Sequence, residues 1–226
     1  MYTLHYTPDN ASMIVRLVLE GAEIPHSLAL MDRANRQQDS AAYRRLNPAG
    51  LIPTLITDHG PIAETGAILL WLADRHGLIP PVDAPDRQTL LHWLFYLSNT
   101  PHTDLRALFY PHLYVPAEAT AGHHAIMVQR LKGHFAILDQ AAARHPSLFA
   151  PHGILAPYLC ALMRWSVLYP VGQTPWFHLT DYPILHTLAK QIEDQPFAQK
   201  VAEDEGLGPT PFTAPRYAQP KVGSAT

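Results

Sequence analysis

The sequence holds a single cysteine, Cys160, in 226 residues, so an intrachain disulfide is excluded. Charged residues are also scarce, at 15%. The formal net charge of -3 leaves no basic footprint for nucleic acid. No apolar run approaches the roughly 18 residues that cross a bilayer, so no membrane partner is expected. The first residues, MYTLHYTPD, form neither a charged-then-apolar leader nor an Arg-rich transit peptide, and a cytoplasmic location is the simplest expectation. The 14 histidines are scattered and show no zinc-binding spacing with a third ligand, so no metal is expected. Hydrophobic residues, at 47%, are plentiful enough for one large or two small cores.

The pattern changes near residue 80. Residues 2–6, YTLHY, alternate and are rich in aromatic and β-branched types, as a strand requires. Thr7-Pro8-Asp9-Asn10 is turn chemistry. A helix follows by period over residues 12–20, with Arg16 and Glu20 on its polar face. Residues 24–30 read as a second strand, 32–46 as a polar loop with a short helix near 41–46, and 51–57 as a third strand. A turn at His59-Gly60 leads to a short fourth strand at Pro61-Ile62. Residues 65–76 then form a helix closed by Gly77. This order predicts a mixed four-stranded sheet flanked by helices. Proline-rich residues 81–86 read as a linker. Only helical patterns follow: 86–97 with a leucine stripe, a continuation broken at Pro101 and Pro111, a long helix over 117–144, a strongly apolar one over 158–169, and two short ones over 183–193 and 197–205. The fold class expected is an α/β first domain over residues 1–80 and an all-α domain over 87–205. The Pro-rich tail, 206–226, either packs through Phe212 and Tyr217 or lacks order.

The most informative segment is 47–75, NPAGLIPTLITDHGPIAETGAILLWLADR. Pro53 interrupts a strand pattern, where it cannot donate to a ladder. Glu64 and Thr65 fall at a helix start, where unpaired N–H groups and a partial positive charge suit a carboxylate. Ile52-Pro53, Glu64-Thr65 and the following apolar helix resemble the glutathione-site half of the glutathione S-transferase superfamily. The resemblance extends more loosely over residues 1–205. It implies a thioredoxin-like first domain, a helical substrate domain, a homodimer, and glutathione as co-substrate with a small electrophile as its partner.

The resemblance also implies roles. Thr65 takes the α-carboxylate of the γ-glutamyl group and Glu64 its ammonium. A cis bond at Ile52-Pro53 turns the Ile52 backbone toward the cysteinyl backbone, and Gln38 joins the glutathione-binding set. Each has a plainer reading: a common helix start for Glu64-Thr65, a trans proline on an edge strand for Pro53. The chain departs from the family at the first loop, where relatives carry Tyr, Ser or Cys. Asn10, with its amide, and Ser12, with its hydroxyl, are the candidate catalytic donors to the thiolate; the plainer reading of each is a cap on the helix that follows. Asp9 is a poor neighbour for a thiolate, because like charges raise its pKa. His102, Arg106 and Tyr110, with His112, are the candidate wall for a second substrate. Trp165, Tyr169 and Cys160 read as core. The serine or threonine and aspartate that cap the family's central helix are replaced at the aligned positions by Gly153 and Ala156.

Two functions follow. One is a glutathione transferase or glutathione-dependent lyase that activates the glutathione thiolate against a small electrophile. The alternative, motivated by the missing Tyr or Cys, is a non-catalytic or repurposed binding protein on the same fold.

Overall fold

The computed structural model describes residues 1–220. Four strands, β1 (Tyr2–Tyr6), β2 (His26–Leu30), β3 (Thr54–Thr57) and β4 (Gly60–Ala63), form one sheet in the order β2-β1-β3-β4. β1 runs parallel to β2, with Leu4 opposite Leu28, and antiparallel to β3, with Leu4 opposite Leu55. β3 and β4 make a hairpin in which Thr54 faces Ala63. The ladder starts at Thr54 rather than residue 51, because Pro53 has no N–H to give it.

Helices α1 (Ser12–Gly21) and α3 (Thr65–His76) lie on the sheet. Met13, Ile14 and Leu17 of α1 and Ile68, Leu69 and Leu72 of α3 are buried with Leu4 and Leu55. Each such side chain contributes about 1.5–3 kcal/mol by leaving water. Gly77 ends α3 at φ 66, a conformation that costs glycine nothing. The short α2 (Ala41–Arg44) is capped by Ser40, whose hydroxyl accepts from the Tyr43 N–H.

The rest of the described chain is helical: α4 (Pro85–Asn99), α5 (Pro101–Phe109), α6 (Thr120–Arg144), α7 (Leu155–Leu168), α8 (Pro183–Glu193) and α9 (Pro196–Asp204). Helix α4 absorbs the last residues of the expected linker, since Pro85 sits in its first turn, where the missing N–H is no loss. The long helix begins at Thr120, after a separate 3-10 turn at Ala117–Ala119. Helix α7 is buried along nearly its whole length and has no side-chain cap. His152, just before it, instead donates from Nδ1 to the Gly21 carbonyl at the end of α1 (3.0 Å).

One expectation is corrected here. Arg16 is not on a solvated face: it is 2% exposed, because α9 covers that side of α1 and pairs it with Asp204 and Glu205. The tail through residue 220 is packed, with Phe212 and Ala218 buried and the Tyr217 hydroxyl donating to the Leu168 carbonyl (2.8 Å). Residues 221–226 of the expected tail lie outside the described residues. Gly206 enters this segment at φ 68, and a Cβ there would collide with the Gln219 carbonyl.

Candidate functional site

A cavity of about 800 Å³ opens between the loops that carry Asn10 and Ile52-Pro53, the start of α3, and helices α5 and α7. Asn10, Gln38, Ile52, Pro53, Glu64 and Thr65 line one side of it. His102, Arg106, Tyr110 and Trp165 line the other.

The first side is built from backbone as much as from side chains. The Ile52-Pro53 bond is cis. Just before it, the Leu51 carbonyl is held by the Tyr43 hydroxyl (2.7 Å) and the Asn47 amide (2.8 Å). Glu64 sits at φ 67, a conformation that non-glycine residues adopt only where the surrounding fold enforces it. It is the residue before α3, and the first bond of that helix runs from the Ile68 N–H to the Glu64 carbonyl (2.9 Å). The N–H groups of Thr65, Gly66 and Ala67 therefore precede the ladder, at the positive end of the helix. Glu64 itself is exposed while Thr65 is 7% exposed. Gln38 reaches the same side, and its buried Oε1 has no partner among the described residues.

The first loop separates the two candidate donors. Asn10 lines the cavity. Ser12 does not: it is fully buried, and its hydroxyl accepts from the Thr7 N–H (3.2 Å) and donates to the Thr7 carbonyl (3.1 Å). A hydroxyl spent on its own loop cannot also meet a ligand, so Ser12 leaves the candidate set. Neither residue caps α1, which starts without a side-chain cap.

Asp9, immediately before Asn10, holds φ 52 and is fully buried. Its carboxylate receives four donors: Arg164 Nε and Nη2 (2.8 Å each), Trp165 Nε1 (3.0 Å) and the Tyr169 hydroxyl (2.8 Å). Its N–H donates to Glu205 (2.9 Å). Arg164 also binds the tail through the Pro211 and Arg216 carbonyls (3.0 and 2.8 Å). The loop bearing Asn10 is thus clamped to α7, to the end of α9 and to the tail. Burial, with the Asp9 carboxylate beside it, drives the Tyr169 phenol well above its ordinary range. The Glu205 carboxyl is pushed up to about 7, chiefly by burial and against the pull of Arg16.

On the far side, His102 meets the Tyr158 hydroxyl through Nδ1 (2.8 Å) and lies 5.7 Å from the Trp165 ring. Burial, then the charge of Arg106, lowers the His102 imidazole to about 4. Burial, then Glu64, raises the Tyr158 phenol far above its ordinary range. A protonated phenol facing a neutral imidazole can donate to Nδ1, which leaves the ring proton on Nε2. Arg106 donates to the Tyr114 hydroxyl (2.8 Å) and lies 5.8 Å from the centre of the Tyr110 ring. His112 is exposed against Tyr110 and does not line the cavity. Cys160 is buried with its thiol raised, first by burial and then by Glu193, so it has no part in the site.

Sequence reasoning missed three arginines, two from the loop before α2 and one from α2 itself. Arg33, Arg36 and Arg44 line the cavity, and Arg36 and Arg44 both pair with Asp39 (2.7 and 2.8 Å). Only their density in RANRQQDSAAYRR could have signalled them. It also missed Trp165 as a wall residue. Among the described residues, no group of three His, Cys, Asp or Glu side chains is placed to hold a metal ion. None of their helices is long and apolar enough to cross a membrane.

This arrangement has counterparts. A family model described as "Glutathione S-transferase, N-terminal domain" matches residues 11–75. A sphingomonad glutathione S-transferase complexed with glutathione superposes with a TM-score of 0.72 at 25% identity, over 91% of this chain and 100% of that one. Residues 11–75 are a glutathione S-transferase N-terminal domain by the family match, and the chain as a whole is similar to glutathione S-transferases. Its thioredoxin-like sheet and helical second half are those of transferase structures. The transferase GstA of Escherichia coli O157:H7 is 23% identical over 209 residues, 90% of this chain and 98% of the relative. The disulfide-bond oxidoreductase YfcG of Escherichia coli K12 is 32% identical over 104 residues, covering 42% of this chain and about half of that relative, 48%.

Proposed function

We propose that this transferase-like enzyme binds glutathione in the cavity and presents its thiolate to an electrophile held against α5. The observation that carries the reading is that Glu64, Thr65, Ile52 and Asn10 share one cavity with His102, Arg106 and Tyr110. Thr65 and the first N–H groups of α3 receive the γ-glutamyl carboxylate, and Glu64 receives the ammonium. Ile52 aligns the cysteinyl backbone, and Gln38 offers its unpaired oxygen to a ligand N–H.

Asn10 donates to the sulfur. A free thiol has a pKa near 8.5, and lowering it by about two units takes roughly 2.7 kcal/mol of preferential thiolate stabilisation. A short amide donor and a nearby helix start supply energies of that order. The sulfur lone pair then forms a C–S bond with the electrophile. The displaced electron pair leaves with a departing group, or moves to the neighbouring carbon and is protonated. Neutral His102 takes part by position, not by charge.

The likeness to a disulfide-bond oxidoreductase supports a second electrophile class. The same thiolate would attack one sulfur of a disulfide and expel the other as a thiolate. A second glutathione would then resolve the mixed disulfide. Cys160 is buried, so both thiols must come from glutathione.

Stopped turnover assays with an aryl halide, an enone and a mixed disulfide test this directly. Turnover of any of them with glutathione supports catalysis. No turnover alongside a glutathione-dependent rise in melting temperature supports the binding-protein alternative. A homodimer in the cytoplasm belongs to the same proposal, and sedimentation of the purified chain tests the dimer.

A further inference from the structure

The electrophile side of the cavity carries a cation, Arg106, that no carboxylate of the described residues pairs with. Arg106 is half-buried, and its partners are the Tyr114 hydroxyl (2.8 Å) and the face of Tyr110 (5.8 Å), both neutral. No carboxylate pairs with it among the described residues. The other charges do not neutralise it. Asp39 is shared between Arg36 and Arg44, and Glu64 forms no ion pair with Arg106 among the described residues. His102 beside it is held neutral, in part by this same guanidinium. Around Arg106 the wall is aromatic and apolar: Phe109, Tyr110, Leu113 and Trp165.

A half-buried guanidinium keeps a fork of donors aimed at a planar acceptor, and a carboxylate fits that fork. Aromatic faces beside it favour a flat, conjugated body. We infer that the second substrate is a planar organic anion, an aromatic or conjugated carboxylate, with its carboxylate on Arg106 and its flat face on Tyr110 and Phe109. The inference rests on the glutathione reading above and adds the class of its electrophile. The plainer role for Arg106 is a cation in the last turn of α5, favoured by the helix dipole. That role affects stability but does not discriminate between ligands.

Binding of conjugates tests the inference without requiring turnover. The full chain is titrated calorimetrically with glutathione, S-benzylglutathione and S-(4-carboxybenzyl)glutathione. A charge-assisted contact makes the carboxybenzyl conjugate about 10- to 100-fold tighter than the benzyl one. The ratio falls toward one in Arg106→Met and is partly kept in Arg106→Lys. Each variant's affinity for S-benzylglutathione is its own reference, and if Arg106→Met folds poorly, Arg106→Lys carries the comparison. Equal binding of the two conjugates, or a preference that survives Arg106→Met, overturns the inference and leaves the glutathione reading standing. Failure to bind glutathione at all overturns both.

Discussion

Asp9 and Arg164, 155 residues apart in sequence, meet carboxylate to guanidinium through two 2.8 Å hydrogen bonds, with neither side chain exposed. The pair joins the loop that carries Asn10 to the central helix α7. Taking two charges out of water is costly, so such a pair adds little net stability over an apolar substitute. Removing one partner is different, because the other charge is left buried alone. Arg164→Met or Asp9→Ala is expected to lower unfolding stability by about 3–5 kcal/mol, read from urea denaturation midpoints. Activity should fall further than stability explains, because Asn10 loses its anchor.

Glu205 gives the same cluster a pH dependence. It faces the guanidinium of Arg16, the N–H of Asp9 and, more distantly, the Asp9 carboxylate. Its folded pKa of about 7 exceeds its ordinary 4.5. Between those values the folded chain holds a proton that the unfolded chain has released. Stability from this group therefore falls as pH rises through the window and is flat above it. Glu205→Gln should gain melting temperature relative to the parent chain as pH rises across that range. Parallel curves would contradict the assignment.

His102 works in the other direction. Its folded pKa of about 4 lies below its ordinary 6.5, so between the two the unfolded chain takes a proton that the folded chain refuses. Stability is lost as pH falls through that window. Near neutral pH the ring does not titrate. The pH profile of kcat/KM should then show one rising limb, that of the thiol, with a midpoint unmoved in His102→Asn. A second inflection near neutrality that disappears in the variant would show a charged histidine in the mechanism.

Ser12 and Asn10 separate folding from chemistry. Ser12→Ala leaves the buried N–H and carbonyl of Thr7 without that hydroxyl and should cost about 1–3 kcal/mol of stability. Its kcat/KM should stay close to the parent value once folding is corrected for. Asn10→Ala should fold normally and lose about 10²-fold in kcat, the usual cost of one donor to a developing or bound anion.

Local signals made much of the fold legible. Pro183 opens α8 and Gly77 closes α3, so one helix starts and the other ends where those residues direct. Glu64-Thr65 and Ile52-Pro53 were legible because their chemistry is local: a helix start and a strand edge. What stayed hidden depends on distant partners. Arg16 looks like a surface residue until α9 lies over it. Asp9 looks like a turn residue until Arg164, Trp165 and Tyr169 arrive from α7 and its end. Ser12 looks like a donor until its hydroxyl is seen folded back on Thr7. No spacing in a single sequence encodes a contact made across 155 residues.

Calorimetric titration of glutathione into the parent chain and into Glu64→Ala bears most directly on the whole account. A saturable exothermic binding curve, weakened at least about tenfold in the variant, is the predicted result. No measurable heat with the parent chain, or equal affinity in a well-folded Glu64→Ala, would contradict it.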